Sequence, residues 1–268
     1  MYNFFNPFFG VCRMNGKKLI LLAVVLFVCV SMVQAAELSV YDVQYTASAS
    51  GDSDYMDQTI DCAGGIVIDK WVGGSTKLTI YDPANPNGWG GIISKAYNGE
   101  FAGVNVGDWV SFANVLVEKR SGNTQLNMAV SSDITVKSPG NALPTGAVVS
   151  GSDFSEAYES MRVVLEGVEV TAMGLGKYGD NYNLLNGNGE YLAGDYMNRD
   201  VVFDYHSLVS VGAEFDSVSG IIEHKVSGGW DYYQMLTTGT SDFVVPEPAT
   251  MALVAVGGLL LRRRRKAQ

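Results

Sequence analysis

Histidine is nearly absent from this chain, and its scarcity argues against catalysis. The sequence has two histidines, His206 and His224, and neither has a nucleophile at a defined spacing. Asp204 lies two positions before His206, but alternation along a strand would place such a pair on one face in any case. Catalytic triads are recognised by their geometry in space and not by sequence position. We therefore predict that the protein is not an enzyme.

Long hydrophobic runs are absent as well. The two main apolar stretches are 19–30 and 251–261, and the second has 11 residues. A helix rises about 1.5 Å per residue and the hydrocarbon core of a bilayer is about 30 Å thick. The C-terminal stretch is therefore short for a stable membrane anchor.

The C-terminal stretch stands between a proline motif and a basic block. Pro246, Glu247 and Pro248 precede it, and the two prolines end any strand because they remove backbone donors. The basic block, which the positive-inside bias holds in the cytoplasm, is Arg262, Arg263, Arg264, Arg265 and Lys266. This tail, 246–268, resembles the PEP-CTERM sorting signal, whose family members are recognised by a membrane transpeptidase-like enzyme, exosortase. The alternative is an ordinary C-terminal membrane anchor.

The N-terminal segment 1–36 has the form of a secretory signal peptide. A basic stretch at 13–18 precedes the apolar run 19–30, and small residues follow, so we expect cleavage after Ala35. Met14 is a candidate for the true start. The expected partners are therefore the secretion translocon, signal peptidase and exosortase. The resemblance implies a precursor tethered in the inner membrane by its tail, and then residence in the cell envelope, at the surface or in the extracellular matrix.

Cysteine is scarce too. Cys12 and Cys29 belong to the segment that we expect to be removed, so the mature chain keeps Cys62 alone. One thiol cannot form an internal disulfide, and a lone cysteine in an exported protein is either buried or paired between chains. We expect Cys62 to be buried.

Positive charge is scarce between the two ends. Of the 18 Lys and Arg residues, ten lie between 37 and 245, against 27 of the 28 Asp and Glu residues, so this body carries a net charge of −17. Such a surface repels phosphate backbones, which bind chiefly through Lys and Arg. We therefore expect no nucleic-acid partner.

Acidic residues cluster in two places. Asp52, Asp54 and Asp57 are close in sequence. A second group of acidic residues lies on both sides of the two Asn-Gly pairs at 186–189. Oxygen ligands suit calcium, but neither group has the spacing of an EF-hand loop. Solvated turns explain both groups, and 186–189 is typical of a tight turn between strands. We expect no cofactor, with Asp52, Asp54 and Asp57 as the calcium candidates.

The body has little helical periodicity, which favours short strands and turns. A Val-Gly pair that opens a strand and leads to Ser-Gly occurs twice, at 106–122 and 211–228, with a spacing of 105 residues. At the same spacing, His224 matches Lys119 and is expected on an exposed hairpin arm. Turn formers at 138–146 indicate a linker between a first domain, 37–137, and a second, 147–245.

The second copy starts with an alternation that slips. Val163 and Leu165 are apolar, and so are Val168 and Val170, which predicts a bulge at Gly167. The expected core residues in these strands and their repeats are Val110, Phe112, Val163, Leu165, Val168, Val170, Phe215 and Ile221.

Segment 153–161 is predicted to be the only short helix of the body. Ser152 or Asp153 would cap it, and Glu156 follows about three residues on. A short amphipathic helix needs tertiary packing to persist, so we expect this one to plug one barrel end.

One further resemblance covers nearly all of 38–245. It rests on the run Tyr158-Glu159-x-Met161-x-Val163-x-Leu165-x-x-Val168-x-Val170 and on the hairpin Gly122-Asn123-Thr124-Gln125-Leu126. These stretches resemble an exported OB-fold-like tandem module found beside extracellular nucleases and phosphatases and in bacterial surface proteins. The resemblance implies an all-β fold of two tandem OB-like barrels, flanked by an N-terminal signal helix and a short C-terminal membrane helix. No nuclease motif accompanies it here, and OB barrels bind diverse ligands.

Aromatic residues offer a candidate ligand platform, because their faces stack on sugars or bases. The candidates are Trp71, Trp89, Trp230 and Tyr232, whereas Trp109 begins a strand and is expected in the core. With an acidic body, a neutral sugar suits the platform better than DNA. We expect an exported, non-catalytic surface or matrix protein. The alternative is an accessory module that binds a glycan such as exopolysaccharide, or with less support nucleic acid.

Overall fold

The computed structural model describes residues 37–48, 50–73, 75–96, 101–127, 133–150, 154–176, 180–194 and 208–246. Residues from Glu37 onward belong to one compact unit. The described chain is mostly β, as predicted. The expected signal helix and C-terminal membrane helix lie outside the described residues. Within the described part, no helix is long and apolar enough to cross a bilayer.

The described chain opens with β1 (Leu38–Ser39) and a one-turn helix, α1 (Val40–Gln44). Ser39 caps this helix, because its hydroxyl accepts from the Asp42 amide and the Asp42 carboxylate accepts from the Ser39 amide in return. Val40 and Val43 anchor the helix in the first core. The prediction that 153–161 holds the only helix of the body is therefore wrong.

A first barrel forms from five strands. The strands of its sheet after β1 are β2 (Thr59–Val72), β3 (Thr76–Tyr81), β4 (Gly91–Ala96), β5 (Trp109–Arg120), β6 (Asn123–Asn127) and β7 (Ile134–Ser138). Their order is β1-β2-β3-β4-β6-β5-β7, and a further pairing of β2 with β5 joins the ends of the five central strands. The third and fifth barrel strands, β4 and β6, run parallel.

A second barrel repeats this arrangement. Its strands are β8 (Ala147–Val148), β9 (Arg162–Leu175), β10 (Asn181–Asn186), β11 (Gly189–Gly194), β12 (Glu214–Ser227), β13 (Trp230–Leu236) and β14 (Phe243–Val244). They follow the order β14-β12-β13-β11-β10-β9-β8, and β12 pairs with β9. Here too the third and fifth barrel strands, β11 and β13, are parallel.

Both barrels have five strands in the order first, second, third, fifth, fourth and back to first. A five-stranded Greek-key barrel of this kind is the OB-type architecture. β5 and β12 hold the same place, so the repeat at a spacing of 105 residues is confirmed. The domain boundaries at 137, 147 and 245 stay predictions.

Each barrel has its own hydrophobic core, and a third cluster lies between them. All eight expected core residues are buried. Ile221, however, belongs to the third cluster, with Met161 and with Ile66 from the first barrel. Cys62 is buried as expected, and burial raises the pKa of its thiol to about 12.

The alternation of buried residues changes phase at Gly167 as the sequence indicated, but the strand has no inserted residue there, so the predicted bulge at Gly167 is wrong. The φ of Gly167 is 58°, and the strand is buried at Val163 and Leu165 before it and at Val168 after it. The register with β12 stays continuous, because β12 changes phase at the same level. A bulge does occur in the first barrel at Gly64, whose φ is 66° and where the register between β2 and β5 shifts.

Segment 153–161 contains a short 3-10 turn, Glu156–Tyr158, instead of the expected helix. The predicted caps Ser152 and Asp153 lie outside the described residues. The prediction that this segment plugs one barrel end stays a prediction. Phe154 and Tyr158 pack against the second core, and the backbone bonds to both barrels. The Trp89 amide donates to the Ala157 carbonyl, and the Ser160 amide donates to the Ile222 carbonyl at 2.7 Å. Because the Ser160 amide donates to another strand and not to a carbonyl of its own segment, it cannot continue a helix.

Candidate functional site

Backbone hydrogen bonds join the two barrels at one place, which we call the junction. It comprises the hairpin 121–124 of the first barrel, the turn and its exit at 156–160, and residues 222–226 of β12. The Val226 amide donates to the Ser121 carbonyl at 2.8 Å. Gly122 lies against His224, and a Cβ there would meet the imidazole at 2.9 Å. The approach therefore requires glycine at this position, where φ is 100°.

Glu159 is the buried carboxylate of the junction. It is 1% exposed, and its Oε1 accepts from the Thr124 amide of the first barrel at 2.8 Å. Its Oε2 has no hydrogen-bond partner among the described residues. Burial raises the pKa of Glu159 well above its usual range, and the charge of Glu156 raises it further.

His224 faces the same place from β12. Its Nε2 lies 2.8 Å from Asp231 Oδ1, and its ring stacks on Tyr233 with centroids 4.2 Å apart. Nδ1 lies 3.3 Å from Glu156 Oε2, but within the described chain it has no partner in hydrogen-bonding geometry.

Glu156 completes the group. Its Oε2 accepts from the Tyr233 hydroxyl at 2.7 Å, and its Oε1 lies 3.4 Å from Lys119 Nζ. Burial and this bond to a carboxylate raise the pKa of Tyr233 beyond its usual range. Glu156, Glu159 and His224 each offer one ligand atom, and these atoms lie within 4.8 Å of one another. Two carboxylates and an imidazole at this spacing can hold a cation.

The sequence did not indicate this group. His224 was expected on an exposed arm, but it is 8% exposed because the first-barrel hairpin covers it. The repeat offered one sign that could have been used. His224 and Lys119 hold equivalent positions in the two copies, and both contact Glu156 in the structure. His206, the other histidine, lies outside the described residues.

A second group, which we call the cationic surface, gathers Lys77, Lys95, Arg120 and Lys225. Lys77 and Lys95 are direct cross-strand partners on β3 and β4. Burial lowers the pKa of Lys77, and the charges of Lys95, Lys225 and Arg120 lower it further against the opposing effect of Glu223. Four of the ten cations of an acidic body therefore act on one another, although Lys225 belongs to the second barrel.

Three of the four predicted aromatic residues adjoin the cationic surface. The Lys77 ammonium lies 5.6 Å from the Trp71 ring centroid, and Tyr232 is the cross-strand partner of Lys225. Trp230 is 69% exposed and packs edge-on to Tyr232 at 6.3 Å. Trp89 stands apart, because its ring packs on Tyr45 beside the junction.

The acidic candidates are engaged in turns. Asp52 lies 3.3 Å from Lys119, and Asp57 has a φ of 61° with its amide bonded to the Val117 carbonyl. The tight turn predicted at 186–189 is confirmed, since Asn186 and Gly189 are direct partners in the β10–β11 hairpin. The Asp54 backbone carbonyl accepts from the Gln58 side-chain amide at 3.0 Å.

The sorting tail lies mostly beyond the described residues. Pro246 is the last described residue, and Glu247, Pro248 and the arginine block follow it. Residues 244–266 match the family of the PEP-CTERM protein-sorting motif. This motif indicates an exported protein that is sorted by exosortase from a precursor anchored in the membrane through its C-terminus.

Solved structures similar to this chain have low identity. The p204 HINb domain is 12% identical, with a TM-score of 0.34 over 69% of this chain and 95% of that one. A tetrameric p202 HIN2 is 7% identical, with a TM-score of 0.35 over 67% and 88%. Fission yeast Pot1 with ssDNA is 12% identical, with a TM-score of 0.31 over 69% and 80%. At these scores the likenesses carry no argument. No curated protein matches the sequence.

Proposed function

We propose that this chain is a non-catalytic protein of the cell surface or the extracellular matrix. The observation that carries the proposal is the sorting motif at 244–266, which directly follows two OB-like barrels. A protein delivered outside the cell by such a tail needs a stable, soluble body, and the net charge of −17 between 37 and 245 favours solubility. The association with nucleases that the OB-like resemblance implies stays a prediction.

The state of His224 supports a non-catalytic role. Its ring is buried, stacked on Tyr233 and held by Asp231, so a substrate has little access to it. A general base must reach the proton that it abstracts in a plausible substrate pose.

Replacing Pro246, Glu247 and Pro248 by alanines tests the sorting step. We expect the unprocessed precursor to accumulate in the inner membrane, because the tail lacks the motif for exosortase. A matched control replaces Pro139 and Pro144 of the linker by alanine and should be released normally. Normal release of the triple variant would show that the sorting proposal is wrong.

The cationic surface favours a second function, the binding of an acidic glycan. Lys77 and Lys95 are directly opposite on neighbouring strands, so they offer an anionic ligand two ammonium groups side by side. Trp71, Trp230 and Tyr232 adjoin these charges and offer faces on which sugar rings stack. A sugar that carries carboxylates, as in an acidic exopolysaccharide, suits this surface. The neutral sugar expected from net charge stays a prediction.

Titration of the full chain, followed by Trp fluorescence, tests the second function. A polyuronate should bind, and Lys77→Gln should weaken it about tenfold, since one charged contact contributes on the order of 1.4 kcal/mol. Lys137→Gln, on an exposed lysine of β7, is the matched control. Equal binding of a neutral polysaccharide, or tighter binding of single-stranded DNA, would contradict an acidic-glycan site.

A further inference from the structure

We propose that Glu156, Glu159 and His224 form a site for a divalent transition-metal ion of the class of Zn²⁺, which fastens the turn 156–160 to β12 at the junction. This inference is independent of the sorting step and of the glycan. It rests on the spacing of the three groups, on the orientation of His224 and on two buried atoms without hydrogen-bond partners.

The spacing of the ligand atoms is close to that of a metal site. One atom from each residue lies within 4.8 Å of the others. Ligands at about 2.0–2.2 Å from a tetrahedral zinc ion lie roughly 3.4 Å apart. Small rotations of the two glutamate side chains would close this difference. Glu156 keeps 15% of its side chain exposed, which leaves a path for the ion.

His224 is oriented as a metal ligand. Asp231 lies 2.8 Å from Nε2, so the proton of a neutral ring is held on that nitrogen. Nδ1 then presents its lone pair toward Glu156 Oε2 at 3.3 Å. A lone pair and a carboxylate oxygen repel each other unless a proton or a metal cation lies between them. A carboxylate that holds the second nitrogen of a ligating histidine is the usual outer partner in zinc sites.

Two buried atoms point to the same missing partner. Glu159 Oε2 and His224 Nδ1 are both buried and lack a hydrogen-bond partner in the described part of the chain. The residues themselves are 1% and 8% exposed. Buried polar atoms normally have a hydrogen-bond partner, and leaving one atom without a partner lowers stability by about 1–3 kcal/mol. A single ion would satisfy both atoms.

The donor set selects the class of ion. One imidazole and two carboxylates suit zinc and similar ions. Calcium takes 6–8 oxygen ligands, which this buried group does not offer. The ion would act as a clasp between the turn 156–160 and β12, because the two glutamates belong to the turn and His224 to the strand. The first barrel reaches this site through the bond from the Thr124 amide to Glu159.

Metal binding to the full chain tests the site. The protein is prepared in mild detergent without a histidine tag and stripped with a chelator, and Zn²⁺ is titrated in competition with a chromophoric chelator. We expect one Zn²⁺ per chain, bound more tightly than Ca²⁺. Glu159→Gln and His224→Gln should each weaken binding at least tenfold, and Asp231→Asn about 10- to 100-fold. Asp54→Asn, in the exposed acidic stretch, is the control and should bind like wild type.

The clasp has its own measurement. Zn²⁺ should raise the thermal unfolding midpoint of the wild type and of Asp54→Asn, but not that of Glu159→Gln, which keeps the volume and the acceptor for the Thr124 amide. Near-ultraviolet circular dichroism confirms that each variant is folded. The proposal is overturned by a folded wild type that binds no stoichiometric Zn²⁺, by variants that bind as tightly as wild type, by tighter binding of Ca²⁺, or by bound Zn²⁺ that leaves the midpoint unchanged.

Discussion

The side chain of Asn123 pairs with the backbone of His224 as a strand residue would. Its Oδ1 accepts from the His224 amide at 3.1 Å, and its Nδ2 donates to the His224 carbonyl at 2.7 Å. The two residues lie 101 positions apart and belong to different barrels. The hairpin of the first barrel thereby extends the pairing of β12, which fits the behaviour of the chain from Glu37 onward as one compact unit.

Asn123→Ala should loosen this junction. The change leaves the amide and the carbonyl of His224 without partners in a buried place, so the free energy of unfolding should fall by about 1–3 kcal/mol. Urea unfolding followed by Trp fluorescence measures the change. Asn127→Ala, farther along the same strand, is the control and should cost less. Equal stability of Asn123→Ala and wild type would contradict the role of this pair.

Asp242→Asn should destabilise the second barrel strongly. The Asp242 side chain is fully buried, and its Oδ1 binds Arg162 while its Oδ2 accepts from the Thr238 amide at 2.6 Å. Removing one charge of a buried pair costs about 3–5 kcal/mol. Thermal unfolding checks this. An unfolding midpoint equal to that of wild type would count against the pair.

Asp69→Asn should stabilise the chain near neutral pH. Burial raises the pKa of Asp69, and the charge of Asp242 raises it further, whereas Arg162 lowers it. The unfolded carboxyl loses its proton first as pH rises, so the folded state loses stability above the unfolded pKa of about 4. The unfolding midpoint of Asp69→Asn should exceed that of wild type at pH 7 and approach it at pH 3. No advantage at pH 7 would contradict this explanation.

Cys62 should be unreactive in the folded chain. It is fully buried, and burial raises the pKa of its thiol to about 12, so little thiolate is present to react. A chromogenic disulfide reagent should label it only after denaturation. Fast labelling of the native protein, or a dimer that reducing agent dissolves, would instead support an accessible thiol.

The pattern of apolar residues predicted strands and part of the cores, whereas the two OB-like barrels were expected from the resemblance to the exported tandem module. Val163, Leu165 and Phe215 lie in cores because short-range periodicity sets their face. Helix α1 was missed although Ser39 and Asp42 form a capping box that is visible in the sequence.

The candidate sites were harder to predict, because residues of one barrel cover or complete the sites on the other. The burial of His224 depends on a hairpin 101 residues away. Net charge likewise does not show where charged residues cluster. The body has a net charge of −17, and this number gave no sign that Lys77 and Lys225 lie close enough to affect each other.

Intact-mass spectrometry of the protein recovered outside the cells of its native host tests the proposed function most directly. Signal-peptide cleavage and exosortase processing predict a species that begins at Ala36 and lacks the block 262–266. Its presence in the surface or matrix fraction, with a longer precursor in the inner membrane, is the expected result. A chain that keeps 262–266 and never leaves the inner membrane or the cytoplasm would contradict the account.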